Sequence, residues 1–123
     1  MIKCLHSTLF YASNLKATAD FYRKLGFEVH ESADGVRVKM GDFTLSFIDE
    51  KTTPIQNESG KTPKGLGIYT YVEVDDADKH YAFLKQNGIA PRTEPKTWSW
   101  GKREFVVKDP DGYKIVFYSP VKR

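Results

Sequence analysis

The chain has a single cysteine, Cys4, among 123 residues. One thiol cannot close an internal disulfide, so this is not the framework of a small secreted scaffold, and a reducing cytoplasm is the expected location. No run of about 18 apolar residues occurs, the length a bilayer-spanning helix needs. No membrane partner is therefore expected. The first residues, Met1-Ile2-Lys3-Cys4-Leu5-His6, are broken up by polar side chains and do not read as a secretory signal. Charge of one sign is scarce as well. The net charge is +3, and Lys and Arg are scattered among acids rather than gathered in a run, so nucleic acid is not an expected partner. Histidine is sparse: His6, His30 and His80 share no metal-ligand spacing, and each reads as a surface or packed residue.

What is present is a repeat. Hydrophobic residues make up 40% of the chain and aromatic ones 14%, enough for one domain with a real core. Asn14 caps a predicted helix with an apolar stripe of Leu15, Thr18, Phe21, Tyr22 and Leu25, ended by Gly26. Asp76 begins another that runs through Phe83 to Asn87 and ends at Gly88. At one offset of sixty-two positions, Asn14 matches Asp76, Phe21 matches Phe83 and Gly26 matches Gly88. A predicted strand precedes each helix, Leu5 to Tyr11 and Leu66 to Val74. Strands follow the first helix at Phe27 to Ala33, Val36 to Met40 and Phe43 to Asp49, with Asp34-Gly35 as a hairpin signal. After the second helix comes an irregular stretch holding Trp98 and Trp100, then strands at Lys102 to Lys108 and Tyr113 to Tyr118. Asp109-Pro110-Asp111-Gly112 between them has the type I turn pattern. The expected organisation is α+β, with βαβββ units at 1–50 and 66–123 joined by a Thr-, Pro-, Ser- and Gly-rich linker at 51–65.

Three motifs carry a resemblance. They are Ala19-Asp20-Phe21-Tyr22-Arg23-Lys24-Leu25-Gly26-Phe27, then Val74-Asp75-Asp76-Ala77, then Trp100-Gly101-Lys102-Arg103-Glu104-Phe105 leading to Asp109-Pro110-Asp111-Gly112-Tyr113-Lys114-Ile115. In this order they make the chain resemble the vicinal oxygen chelate superfamily, which groups glyoxalase I, bleomycin- and fosfomycin-resistance proteins and extradiol dioxygenases. The resemblance implies two βαβββ units related by a pseudo-twofold, whose curved mixed sheets enclose a pocket. It also implies a homodimer, as in many short members.

The resemblance assigns metal ligands to one position on the first and one on the last strand of each half. These positions fall on Ser7, Ser46, Tyr69 and Val116. Neutral hydroxyls bind transition metals poorly, valine cannot bind them at all, and tyrosine needs a strongly lowered pKa. Metal-dependent glyoxalase or dioxygenase chemistry is therefore not expected, and neither a metal nor another cofactor is assigned. His6 lies one residue from the expected ligand position, which turns it to the other strand face unless a bulge intervenes.

Strand alternation gives the lining of the implied pocket. Ser7, Leu9 and Tyr11 share a face, as do Tyr69, Tyr71 and Glu73. Thr44, Ser46 and Ile48 form one closing set, and Lys114, Val116 and Tyr118 the other. Trp98 and Trp100 read as a cap on the pocket or a dimer seam. Phe43, Leu45 and Phe47, with Tyr113, Ile115 and Phe117, belong under the helices. Cys4 has no base near it in sequence and reads as a packed or surface thiol. Aromatic faces suit planar or cationic ligands, so the expected function resembles that of the metal-free bleomycin-resistance branch: binding and sequestering a small organic molecule. One feature departs from that branch. Its drug binders tend to be acidic because their ligand is cationic, and this chain is mildly basic. The alternative is a lyase, isomerase or dioxygenase-like enzyme with altered or metal-free chemistry, using Tyr69, Tyr71 or Glu73 as acid or base. A scaffold with a vestigial pocket is a third reading.

Overall fold

The computed structural model describes residues 1–51 and 64–121. It contains two compact units, Met1–Pro63 and Lys64–Arg123, and the boundary falls inside the expected linker.

The first unit holds β1 (Ser7–Ala12), α1 (Leu15–Leu25), β2 (Glu28–Ser32), β3 (Gly35–Met40) and β4 (Phe43–Asp49). Its sheet has the order β1-β4-β3-β2. β1 runs parallel to β4 while β4, β3 and β2 are antiparallel neighbours, so the sheet is mixed. The side chain of Asn14 accepts from the amide of Ala17 at 3.0 Å, satisfying one of the helix's orphan donors. Gly26 closes the helix in the left-handed region, and its amide donates to Arg23 O. Thr18, Ala19, Tyr22 and Leu25 are buried under α1, which is the expected stripe with Ala19 added and with Leu15 and Phe21 only half-buried. Across the sheet they meet Phe10, Val36, Val38, Leu45 and Phe47. The Phe47 ring lies 5.1 Å from both Phe10 and Tyr22. Each such side chain contributes about 1.5–3 kcal/mol by leaving water.

The second unit repeats the plan with β5 (Tyr69–Glu73), α2 (Ala77–Gln86), β6 (Lys96–Thr97), β7 (Lys102–Lys108) and β8 (Lys114–Pro120), in the order β5-β8-β7-β6. Asp76 caps α2 by accepting from Lys79 N at 3.0 Å. Ser119 of the last strand accepts from Ala77 N at 3.1 Å and so ties the helix start to β8. Asp78 of α2 and Arg103 of β7 pair through two hydrogen bonds of 2.7 and 3.0 Å. The Arg103 guanidinium holds the Asp78 carboxyl below its ordinary value. Leu84 is the buried side chain of the helix, and under it lie Val72, Phe105, Val107, Ile115 and Phe117. His80 packs among them, 4.5 Å from the Phe117 ring.

Four details differ from the sequence reading. The β2–β3 loop is Ala33-Asp34, because Ser32 pairs with Gly35. The positive φ of 143° falls on Gly35 and, among the described residues, no non-glycine residue has one, so the turn is not the primed type that Asp34-Gly35 suggested. Gly65, placed in the linker, is a buried part of the second unit. A Cβ there would lie 2.0 Å from Gly112 O, so only glycine lets this chain segment pack on the 109–112 turn. β5 begins at Tyr69 rather than Leu66, since Leu66 and Gly67 form a turn. The stretch around the tryptophans is a hairpin rather than irregular: Lys96 and Thr97 pair with Glu104 and Arg103. Pro95 beside them keeps that strand short. The rest of the expected linker, 52–63, lies outside the described residues.

Candidate functional site

The site follows from which strand face the helix leaves uncovered. In β7, Phe105 and Val107 are buried and Arg103 pairs with α2. Alternation therefore sends Lys102, Glu104, Val106 and Lys108 to the outer face. In β8, Ile115 and Phe117 go under the helix, and Lys114, Val116 and Tyr118 go outward. In β5 the outward set is Tyr69, Tyr71 and Glu73. The register aligns these sets: Tyr69 with Lys114, Tyr71 with Val116, Glu73 with Tyr118, then Lys114 with Lys108, Val116 with Val106, Tyr118 with Glu104. Val116 is 1% exposed and forms the floor of this face.

Glu104 organises the face. It is 7% exposed. Its carboxylate accepts from Tyr71 OH at 3.1 Å and from Trp100 Nε1 at 2.9 Å. Trp100 reaches it because the hairpin turn 98–101 is fixed by bonds from Trp98 N to Lys102 O and from Gly101 N to Trp98 O. The Trp98 and Trp100 rings stack at 4.8 Å with an interplanar angle of 7°, and the Lys96 ammonium sits 3.9 Å from the Trp98 centroid. Tyr118 donates to Glu73 at 2.9 Å and its ring lies 5.8 Å from Tyr71. Burial of the Tyr71 hydroxyl end, then the Glu104 charge, raise the Tyr71 phenol above its ordinary value. The Glu73 hydrogen bond raises that of Tyr118. Both phenols stay protonated near neutrality and act as donors.

Beside this cluster is a cleft of about 220 Å³ lined by Tyr69, Arg92, Thr93, Val106, Lys108 and Lys114. The Arg92-Thr93 segment is pinned along β7: Arg92 N donates to Val106 O at 2.7 Å and Val106 N donates to Thr93 Oγ1 at 2.9 Å. Lys114 Nζ donates to Gly65 O at 3.0 Å and lies 5.2 Å from the Tyr69 centroid. A larger hollow of about 450 Å³ opens where β5 enters α2, among Glu73, Asp76, Lys79, His80 and Phe83. Of the residues expected at the site it holds only Glu73, and its Asp76 is occupied in capping the helix. The sheet face, where the expected residues converge, is the candidate site.

The first unit carries its own set. Ser7, Leu9 and Tyr11 share the outer face with Thr44, Ser46 and Ile48, and Leu9 pairs with Ser46 as Tyr71 pairs with Val116. Arg37 lies opposite Ser46 on that face, and His30 Nε2 contacts Glu28 at 2.9 Å on the edge strand. β1 pairs with β4 without interruption from Ser7 to Ala12, so no bulge in the strand turns His6. Cys4 is exposed and precedes the strand, so no strand face can be assigned to it.

Residues 5–117 match the family described as the Glyoxalase/Bleomycin resistance protein/Dioxygenase superfamily. The chain belongs to that superfamily. A curated bleomycin resistance protein of Geobacillus stearothermophilus is 28% identical over 120 residues, covering 89% of this chain and 91% of that protein. A glyoxalase/bleomycin resistance protein/dioxygenase from Nocardioides superposes with a TM-score of 0.80 at 20% identity, covering 99% of this chain and 86% of the other. A superfamily member from Sphaerobacter thermophilus gives 0.74 at 25% identity, covering 96% and 98%.

The strand registers make Ser7 equivalent to Tyr69 and Ser46 equivalent to Val116. Of these four residues, three carry hydroxyls and one carries no donor atom. At Tyr69 a lysine ammonium already stands over the ring, which repels a divalent cation. Glu73 and Glu104, the carboxylates of the same face, already accept from tyrosine and tryptophan. Among the described residues no group of three or more His, Cys, Asp or Glu is arranged to hold a metal. This donor set does not fit a transition metal.

Sequence reading missed Glu104, Arg92, Thr93, Val106 and Lys108. The signal for three of them was available. Once Phe105 and Val107 are assigned to the core, parity sends Glu104, Val106 and Lys108 outward. Arg92 and Thr93 had no such signal, because hydrogen bonds to the Val106 backbone, one of them from Val106 N to the Thr93 hydroxyl, place them.

Proposed function

We propose that this protein binds a small planar organic molecule on the outer face of its second sheet and sequesters it without changing it. The observation that carries this reading is the aromatic cluster around buried Glu104. Tyr71, Trp98 and Trp100 are exposed although aromatic, and hydrogen bonds to one carboxylate hold two of them in place. Fixed, exposed aromatic faces offer stacking area with little ordering cost on binding. Tyr69, Glu73, Lys114, Val116 and Tyr118 of the same face are proposed as further ligand contacts. The similarity to a bleomycin resistance protein supports drug-like ligands as a class. We further propose that the protein acts without a metal, in the cytoplasm and as a homodimer, with exposed apolar side chains such as Leu9 and Met40 covered by the second copy.

The test is calorimetric titration with planar aromatic compounds, cationic, neutral and anionic, followed by mass spectrometry of the recovered compound. Saturable binding with the ligand recovered unchanged supports sequestration. Turnover by metal-free protein would replace this reading with an enzyme. Sedimentation at micromolar concentration tests the dimer, and a monomer there would remove that part of the proposal.

A further inference from the structure

Three cations line the cleft beside the aromatic cluster. Lys108 and Lys114 are direct cross-strand partners on one face, and like charges so placed destabilise a sheet. Arg92 is brought to the same cleft by the bonds that its own amide and the Thr93 hydroxyl make to the Val106 backbone. None of the three forms an ion pair with a described carboxylate. The carboxylates of this face, Glu73 and Glu104, are bound to Tyr118, Tyr71 and Trp100 instead. Lys114 gives one hydrogen bond to a neutral carbonyl, Gly65 O, which fixes its head but leaves its charge uncompensated. Thr93 adds a hydroxyl, and the ring of Tyr69 walls the cleft. Positive charge gathered in a concave, partly apolar setting, with no protein counter-charge, is an arrangement that attracts an anion.

Size narrows the ligand further. Pockets that enclose a whole drug-sized molecule run to about 300–1,000 Å³. A cleft of about 220 Å³ suits a head group. Its wall, Tyr69, stands two residues from Tyr71 on the same face of β5, so a head group seated there lets the remainder of the molecule lie across Tyr71 towards Trp100. We infer that the cleft of Arg92, Lys108 and Lys114 binds the anionic head group, a carboxylate or phosphate, of a ligand whose planar part lies on the neighbouring aromatic cluster. The inference rests on the binding reading above for the planar part, while the anion site stands on its own residues. It also accounts for the mildly basic chain: the expected ligand carries the opposite charge to the cationic drugs of the bleomycin type.

The experiment uses the whole protein, isotopically labelled for amide shifts. It is titrated with 2-naphthoate, naphthyl phosphate, neutral 2-naphthylmethanol and inorganic phosphate, and quenching of tryptophan emission is recorded in parallel. The inference expects the two aromatic anions to bind about fivefold or more tightly than the neutral compound, with shifts at Thr93, Val106 and Lys108. It expects that preference to vanish in Arg92→Gln/Lys108→Gln and to weaken as salt is raised. In Trp98→Ala, all three aromatic compounds should weaken together and the anion preference should persist. Comparing the carboxylate with the phosphate separates the two head groups. If the neutral compound binds as well as the anions, or the preference survives the double variant, the anion site is overturned and the sequestration reading stands. If inorganic phosphate shifts the cleft amides and no aromatic compound binds, the anion site stands and that reading fails. If no anion shifts the cleft amides at millimolar concentration, the inference is wrong.

Discussion

Replacing Trp100 by phenylalanine tests the role given to Glu104. The change keeps an aromatic ring to stack on Trp98 and deletes one donor, the Nε1–H that reaches Glu104 Oε1 at 2.9 Å. A hydrogen bond to a charged group contributes about 1.5–3 kcal/mol. Trp100 itself is 52% exposed, so water can reach part of the vacated position, and the expected loss is about 1–2 kcal/mol. The bond from Tyr71 OH to the same carboxylate predicts a similar loss for Tyr71→Phe. With Glu104→Gln as the background, both bonds become neutral ones worth about 0.5–1.5 kcal/mol, and each phenylalanine substitution should cost about 1 kcal/mol less than in the wild type. Urea denaturation of the four corners of the cycle reads this coupling, provided the slope m is unchanged. The reasoning is refuted if Trp100→Phe lies within about 0.3 kcal/mol of wild type, or if its cost is the same with Gln at position 104.

Two further outcomes follow from the charges of the second unit. The Asp78 pKa is lowered by Arg103, so the pair contributes stability that is complete above the unfolded aspartate value of about 3.9 and is lost as pH falls through the lower folded value. Asp78→Asn should therefore cost about 0.5 kcal/mol at neutral pH, a modest figure because the pair is solvent-screened, and nothing in strong acid; a constant difference across that range in chemical denaturation would be the wrong result. The Tyr71 and Tyr118 pKa values are raised, so their contribution is complete below the ordinary tyrosine value of about 10 and is lost as pH rises through the higher folded values. Ultraviolet titration should show these two phenols ionising above the ordinary tyrosine value, and Glu104→Gln should bring Tyr71 down towards that value while leaving Tyr118 in place.

How much could be read in advance depended on how local each cause was. Both helices, their caps at Asn14 and Asp76, and the face parity of β1, β4, β5 and β8 were legible, because side-chain type and period decide them within a few residues. The sixty-two-residue offset holds for the first strand and helix of each unit. It grows to seventy on the closing strands, where Thr44 answers to Lys114. All but one of the extra residues lie between α2 and β7, in the stretch that bears Arg92, Thr93, Trp98 and Trp100, and the remaining one lies in the β7–β8 turn. The hairpin of β6 and β7 answers to that of β2 and β3, but the longer connection before it and its bonds to Val106 could not be read from the first unit. Glu104 was hidden differently. A charged residue in a strand reads as solvent-exposed, and only the convergence of Tyr71 and Trp100, thirty-three and four positions away, makes it a buried anchor.

The central claim, that the outer face of the second sheet is a ligand site, is most directly tested by intrinsic fluorescence. The chain has two tryptophans, and both stand at this face, so emission reports the site without a label. Titration of 2-naphthoate into the protein should give saturable quenching with one ligand per chain, weakened at least tenfold in Tyr71→Ala, the loss of one stacking face costing about 1.4 kcal/mol. Quenching that never saturates, or that saturates identically in Tyr71→Ala, would contradict the account.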